Sequence, residues 1–177
     1  MSGATLWFTG LPSAGKTTLA TAVAEQLRAA GRPVELLDGD EVREFLSKGL
    51  GFSREDRETN VTRIGYVASL LAAHGVTVLA SVISPYAASR DKVRALHGER
   101  GADFVEVYVA TPVDVCSERD VKGLYAKQRA GELTGLTGVD DPYEAPTSPE
   151  ITVATQDQTL DESVDQVLLV LTAKGLA

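Results

Sequence analysis

The sequence is poor in the residues that build metal centres and covalent cross-links. It has one cysteine, Cys116, and two histidines, His74 and His97, among 177 residues. One cysteine closes no intrachain disulfide, which agrees with a reducing compartment. These three side chains lie far apart in sequence and make no zinc site. Long apolar runs are missing too, so no segment reads as a membrane span. Met1-Ser2-Gly3 has no basic flank and leads straight into Leu6-Trp7-Phe8, which argues against a signal peptide. The expected compartment is the cytoplasm. Cations are scarce: 17 Lys and Arg stand against 25 Asp and Glu, a net charge of −8. Nucleic-acid binding needs a basic face, so no nucleic-acid partner is expected. An anionic small molecule remains possible if the few cations gather in one place. No internal repeat, low-complexity tract or linker divides the chain. Its length suits one domain over residues 1–177.

What is present is alternation. Ala4 to Thr9, Pro33 to Leu37, Val76 to Val82 and Phe104 to Val109 read as strands, with Ile151 to Ala154 as a last one. Helical spacing fills the intervals: Lys16 to Ala30, stopped by Gly31, then Glu41 to Leu46, Ser53 to Ala73, Ala87 to Leu96 and Val113 to Glu118. Ser53-x-x-Asp56 and Thr159-x-x-Glu162 are capping signals. The second opens a final helix with Leu160, Val164, Val167, Leu168 and Leu171 inward. Apolar strands alternating with helices predict an α/β fold, a parallel sheet covered on both faces. Residues 120–150 show little periodicity but carry glycines, Lys122, Lys127 and Arg129, which suits a mobile lid. Trp7 and Cys116 read as packing residues. His74 and His97 each precede a glycine and read as helix-end or dipole residues.

The chemistry starts at Gly10-Leu11-Pro12-Ser13-Ala14-Gly15-Lys16-Thr17-Thr18. Gly10-x4-Gly15-Lys16-Thr17 follows a strand and opens a helix, the full phosphate-loop pattern in its proper context. The glycines bring backbone N–H groups onto phosphate oxygens, and the helix start adds partial positive charge. Lys16 reaches the β and γ phosphates, and the Thr17 hydroxyl can ligate Mg²⁺. The loop predicts ATP-type binding with magnesium in a P-loop NTPase fold. It does not name the acceptor. A small-molecule kinase for any of several acceptors and a non-catalytic nucleotide switch both stay open at this point. Asp38-Gly39-Asp40 lies at a strand's C-terminal end, where α/β ligand sites form. Arg43 follows one helical turn later, and "LGFSREDRETN", residues 50–60, adds Phe52, Arg57 and Asn60. An aromatic, a guanidinium and an amide together can hold a base and an anion.

Six stretches carry a resemblance: "FTGLPSAGKTT", "LLDGDEVR", "LGFSREDRETN", "VISPY", "RDVKGLYAKQRAGE" and "LTGVDDPYEAP". In this order they resemble the adenylylsulfate kinase family, over residues 8–146. The resemblance implies transfer of the ATP γ-phosphoryl to the ribose 3′-hydroxyl of adenosine 5′-phosphosulfate (APS), giving 3′-phosphoadenylyl sulfate. It implies that Gly10 to Thr18 hold ATP and magnesium, with Arg119 and Lys127 near ATP. It implies that Asp40, Arg43, Phe52, Arg57, Asn60, Ile83, Ser84, Lys122, Gly135 and Leu136 hold APS. It also implies a homodimer. Many members have Phe where this chain has Leu136, so apolar contact is kept there and aromatic stacking is lost. Asp38 or Asp40 is expected to orient the 3′-hydroxyl or a magnesium-bound water. Family descriptions name the serine matching Ser84 as a phosphoserine intermediate. A one-step in-line transfer needs no such intermediate, so Ser84 is expected to line the APS site.

Overall fold

The computed structural model describes residues 3–177. Its elements run β1 (Ala4–Thr9), α1 (Lys16–Ala29), β2 (Val34–Asp38), α2 (Gly39–Phe45), α3 (Arg54–Ala73), β3 (Thr77–Ser81), α4 (Ala87–Glu99), β4 (Asp103–Val109), α5 (Val113–Arg119), α6 (Leu124–Arg129), β5 (Ile151–Val153) and α7 (Leu160–Ala173). The strands form one five-stranded sheet in the order β2-β3-β1-β4-β5, and every pairing is parallel.

β1 and β3 are buried along their whole lengths because helices cover both faces. Side chains alternate across the strand. Leu6 and Phe8 enter the larger core with Leu19, Val23 and Leu27 of α1 and Val167 and Leu171 of α7. Trp7 points the other way, among Val61 and Ile64 of α3 and Val93 of α4. The β1-to-β2 crossover runs toward one edge of the sheet and the β3-to-β4 crossover toward the other. The C-terminal ends of β1 and β3 flank that switch point, where open α/β sheets place ligands.

The capping signals act as read. Ser53 accepts from the Asp56 backbone N–H at the start of α3, and Thr159 and Glu162 close a reciprocal capping box on α7. Four expectations need correction. α2 begins at Gly39, because the Asp38 side chain accepts from the Asp40 N–H at 3.0 Å and caps it. Residues 120–150 contain a further helix, α6, whose first amides, Tyr125 N and Ala126 N, donate to the Asp120 carboxylate. Leu160 does not face inward; it is 43 % exposed, at the first turn of α7. His97 is a core residue. It is fully buried, with Nδ1 bonded to Val93 O at 2.8 Å and Nε2 to Thr5 Oγ1 at 2.7 Å. A carbonyl only accepts, so Nδ1 carries the proton and the Thr5 hydroxyl donates to Nε2. Burial pushes the His97 pKa down, so the neutral ring has no dipole role.

Candidate active site

The loop between β1 and α1 is bridged by its own lysine. Lys16 Nζ donates to Gly10 O at 3.0 Å and Leu11 O at 2.8 Å. Burial pushes the ammonium down to about 8. Gly15 caps α1 with φ 102°, a conformation that side-chain-bearing residues rarely adopt. Ala14 is fully buried beneath the loop, and its carbonyl accepts from Thr111 Oγ1, Thr155 Oγ1 and Arg119 Nη1. At the first turn of α1, Thr17 Oγ1 donates to Asp38 Oδ2 at 2.8 Å and lies 3.1 Å from Ser81 Oγ.

A cleft of about 840 Å³ opens beside this loop, near the top of the size range of small-molecule sites. On one side it is lined by Pro12, Ser13, Gly15, Lys16, Thr17, Thr18 and Arg119. On the other it is lined by Asp38, Asp40, Arg43, Phe52, Arg57, Asn60, Ile83, Ser84, Lys122, Gly135 and Leu136. The fold thus brings both sets of predicted residues to one space. Phe52 is 67 % exposed, with the Arg43 guanidinium 4.4 Å from its ring centre. Lys122 forms an ion pair with Asp40 across the mouth of the cleft. Asn60 is buried, and its Oδ1 has no hydrogen-bond partner.

The adenylylsulphate kinase family model matches residues 2–154. The chain belongs to the adenylylsulfate kinase family. An adenylyl-sulfate kinase of Synechococcus sp. is 56% identical over 173 residues, 98% of this chain and 97% of that protein. One from Myxococcus xanthus is 57% identical over 175 residues, 99% of this chain and 94% of that protein. The solved Mycobacterium tuberculosis APS kinase CysC, in complex with AMPPNP and APS, superposes with a TM-score of 0.93 at 44% identity. That alignment covers 97% of this chain and 98% of the other.

Within this adenylylsulfate kinase fold, not every expected residue reaches the cleft. Lys127 does not line it; its side chain lies exposed on α6. Gly10, Leu11 and Ala14 shape the loop from behind rather than facing the cleft. Leu136 touches the cleft but is only 6 % exposed and packs into the main core. Ser84 is enclosed. Its Oγ accepts from Trp7 Nε1 at 3.0 Å and donates to Thr9 Oγ1 at 2.9 Å. Its φ is 43°, and its carbonyl accepts from Arg90 Nη1 at 2.7 Å. Thr9 in turn donates to Ile83 O at 2.7 Å and lies 2.9 Å from Tyr143 Oη, which therefore donates to it.

Sequence reading missed a third wall. Thr155, Gln158, Leu160 and Ser163 line the cleft from the β5–α7 junction. No motif marks them, and Leu160, expected inward on α7, instead lines this wall. Arg119 bonds to Thr155 Oγ1 at 2.9 Å and ties this wall to the P-loop.

Proposed function

We propose that the chain is one kinase domain over residues 1–177 that transfers the γ-phosphoryl of ATP to the 3′-hydroxyl of APS, with residues 120–150 as a mobile lid. The observation that carries this reading is the single cleft shared by the P-loop and the Arg43, Phe52, Arg57 and Asn60 group. Phosphoryl transfer needs donor and acceptor in line, and little covalent chemistry from the protein.

Gly15, Lys16, Thr17 and Thr18 take the phosphates of ATP, and Lys16 exchanges two loop carbonyls for phosphate oxygens. The exposed Phe52 ring offers a face to the APS adenine, and the buried, unpaired Asn60 Oδ1 offers an acceptor to a ligand N–H. Arg43 and Arg57 supply positive charge toward the phosphosulfate. Ile83 and Ser84 form the floor, and Gly135 and Leu136 the opposite wall. In this reading Asp40, a cleft residue paired with Lys122, orients the 3′-hydroxyl once Lys122 leaves it for the transferring phosphoryl group. The γ-phosphorus–oxygen bond to ADP breaks as the bond to the 3′-oxygen forms, in one displacement without Ser84. The Ser84 hydroxyl proton is already committed to Thr9, and no base stands beside it among its hydrogen-bond partners.

Thr17 Oγ1, Asp38 Oδ2 and Ser81 Oγ cluster at the P-loop and are all hard oxygen donors, which suits Mg²⁺. Thr17 would hold the ion directly, with Asp38 behind it. The bound ion supplies charge neutralisation at the phosphate oxygens. Among the described residues no helix is long and apolar enough to cross a membrane. A cytoplasmic homodimer is part of the proposal; light scattering on the purified protein tests its stoichiometry.

The deciding experiment incubates the purified protein with MgATP and APS. Stoichiometric ADP and 3′-phosphoadenylyl sulfate are expected. Faster phosphorylation of another nucleotide or a sugar, with APS neither consumed nor competing, would sink the assignment.

A further inference from the structure

Arg57, on the acceptor side of the cleft, is already heavily engaged. A guanidinium has five N–H donors. Nε donates to Phe52 O at 2.8 Å, Nη2 to Gly135 O at 2.6 Å and Nη1 to the Thr137 hydroxyl. Nη2 also pairs with Asp141 Oδ2 at 3.0 Å. Four donor directions are therefore spent within the protein, three of them on one short segment about eighty residues away.

That segment, 135–141, is a self-contained turn. The Leu136 carbonyl accepts from the N–H groups of Val139, Asp140 and Asp141, and Gly138 N donates to Asp141 O at 2.8 Å. Its outer rim presents Gly135 O, Thr137 Oγ1 and the Asp141 carboxylate to the same guanidinium. Its other side rests on the P-loop. At Gly138, φ 89°, an added Cβ would lie 2.6 Å from Leu11 Cδ2. Leu11 is the residue whose carbonyl accepts from Lys16. One hydrogen-bonded turn thus touches the phosphate-donor loop on one side and the acceptor-site arginine on the other.

We propose that Asp141 is a positioning residue for the transfer, holding Arg57 through an ion pair so that the 135–141 turn sets the acceptor site in register with the P-loop. Thr137 assists by fixing Nη1. The carboxylate acts by fixing the plane of the guanidinium, which lines the cleft and keeps one Nη1 hydrogen uncommitted to these partners. An ion pair suits this task better than a neutral partner, because it fixes a side chain that otherwise has many rotamers. The proposal rests on the placement of Arg57 on the APS side.

The test is a double-mutant cycle read as separate KM and kcat values for APS and ATP. Asp141→Asn is expected to raise KM for APS about tenfold, the loss of one charge-assisted hydrogen bond, with KM for ATP unchanged. In an Arg57→Ala background, Asp141→Asn should have no further effect on APS. Thr137→Val gives the same pattern more weakly and stands in if Asp141→Asn does not fold. Additive effects in the cycle, or equal changes in both KM values from Asp141→Asn, would overturn the positioning role. If Arg57→Ala itself weakens ATP and APS alike, the acceptor-side placement of Arg57 fails instead. The two failures are therefore separable.

Discussion

Replacing Ser84 with alanine separates direct transfer from transfer through a phosphoserine. In the folded protein the Ser84 hydroxyl is 1 % exposed and joins Trp7 Nε1 to Thr9 Oγ1. Removing it leaves the buried indole N–H without an acceptor. Leaving such a donor unpaired costs about 1–3 kcal/mol. In a chain of this size that lowers Tm by about 2–4 °C per kcal/mol. Alanine also meets the strain of φ 43° without a hydroxyl to bond across it. The effect on catalysis is smaller. If transfer is direct, the variant loses at most one neutral hydrogen bond near APS, about 0.5–1.5 kcal/mol, or roughly tenfold in rate. The assay is single-turnover transfer from γ-labelled ATP in wild type and Ser84→Ala, alongside a thermal melt. The expected result is a lowered Tm with substantial transfer. A folded but inactive variant, with a labelled phosphoserine in the wild type that forms and decays at the rate of product formation, would refute the reasoning.

Lys16→Ala should abolish transfer with circular dichroism unchanged, since its hydrogen-bond partners are two loop carbonyls; turnover at the wild-type rate would remove the P-loop assignment. Leu136→Phe should tighten APS by up to about 1 kcal/mol through stacking, measured by calorimetry, while overpacking a nearly buried site at a cost of about 1–3 kcal/mol lowers Tm. Unchanged or weaker APS binding would show that side chain 136 does not face the adenine. Burial depresses the His97 pKa below its ordinary 6.5, so below that pH the unfolded chain takes up a proton that the folded chain refuses. Stability should fall as pH drops through the unfolded value, and His97→Gln should flatten that slope in urea titrations. An unchanged slope would show that His97 is not the group responsible.

The parts of this molecule legible in its sequence are those with local causes. Gly10 to Thr17 declare a strand, a loop and a helix together because each residue type answers a need of its neighbours. Ser53 and Thr159 mark helix starts because capping acts within one turn. α6 carries no legible signal because six residues are too few for periodicity, and its N-cap, Gly123, makes no side-chain bond while Asp120 holds the Tyr125 and Ala126 amides from further back. His97 is a core residue rather than a helix end because α4 runs on to Glu99, which turns the ring inward onto Thr5 of β1. Arg57 could be placed near the site from sequence, but its partners could not. They lie on a turn about eighty residues further on, and no spacing rule reports such a contact. The wall from Thr155 to Ser163 was invisible for the same reason: its residues converge on the P-loop only after β5 joins the sheet.

Trp7 is the chain's only tryptophan, and its indole is wholly buried with its N–H on Ser84, a residue of the cleft floor. Its fluorescence therefore comes from one dry site, without the mixture of emitters that blurs most proteins. A ligand that shifts the Ser84 hydroxyl changes the polarity felt by the excited ring. Filling of the acceptor half of the cleft can then be followed in real time, by stopped flow and without a label, on a signal that does not depend on turnover.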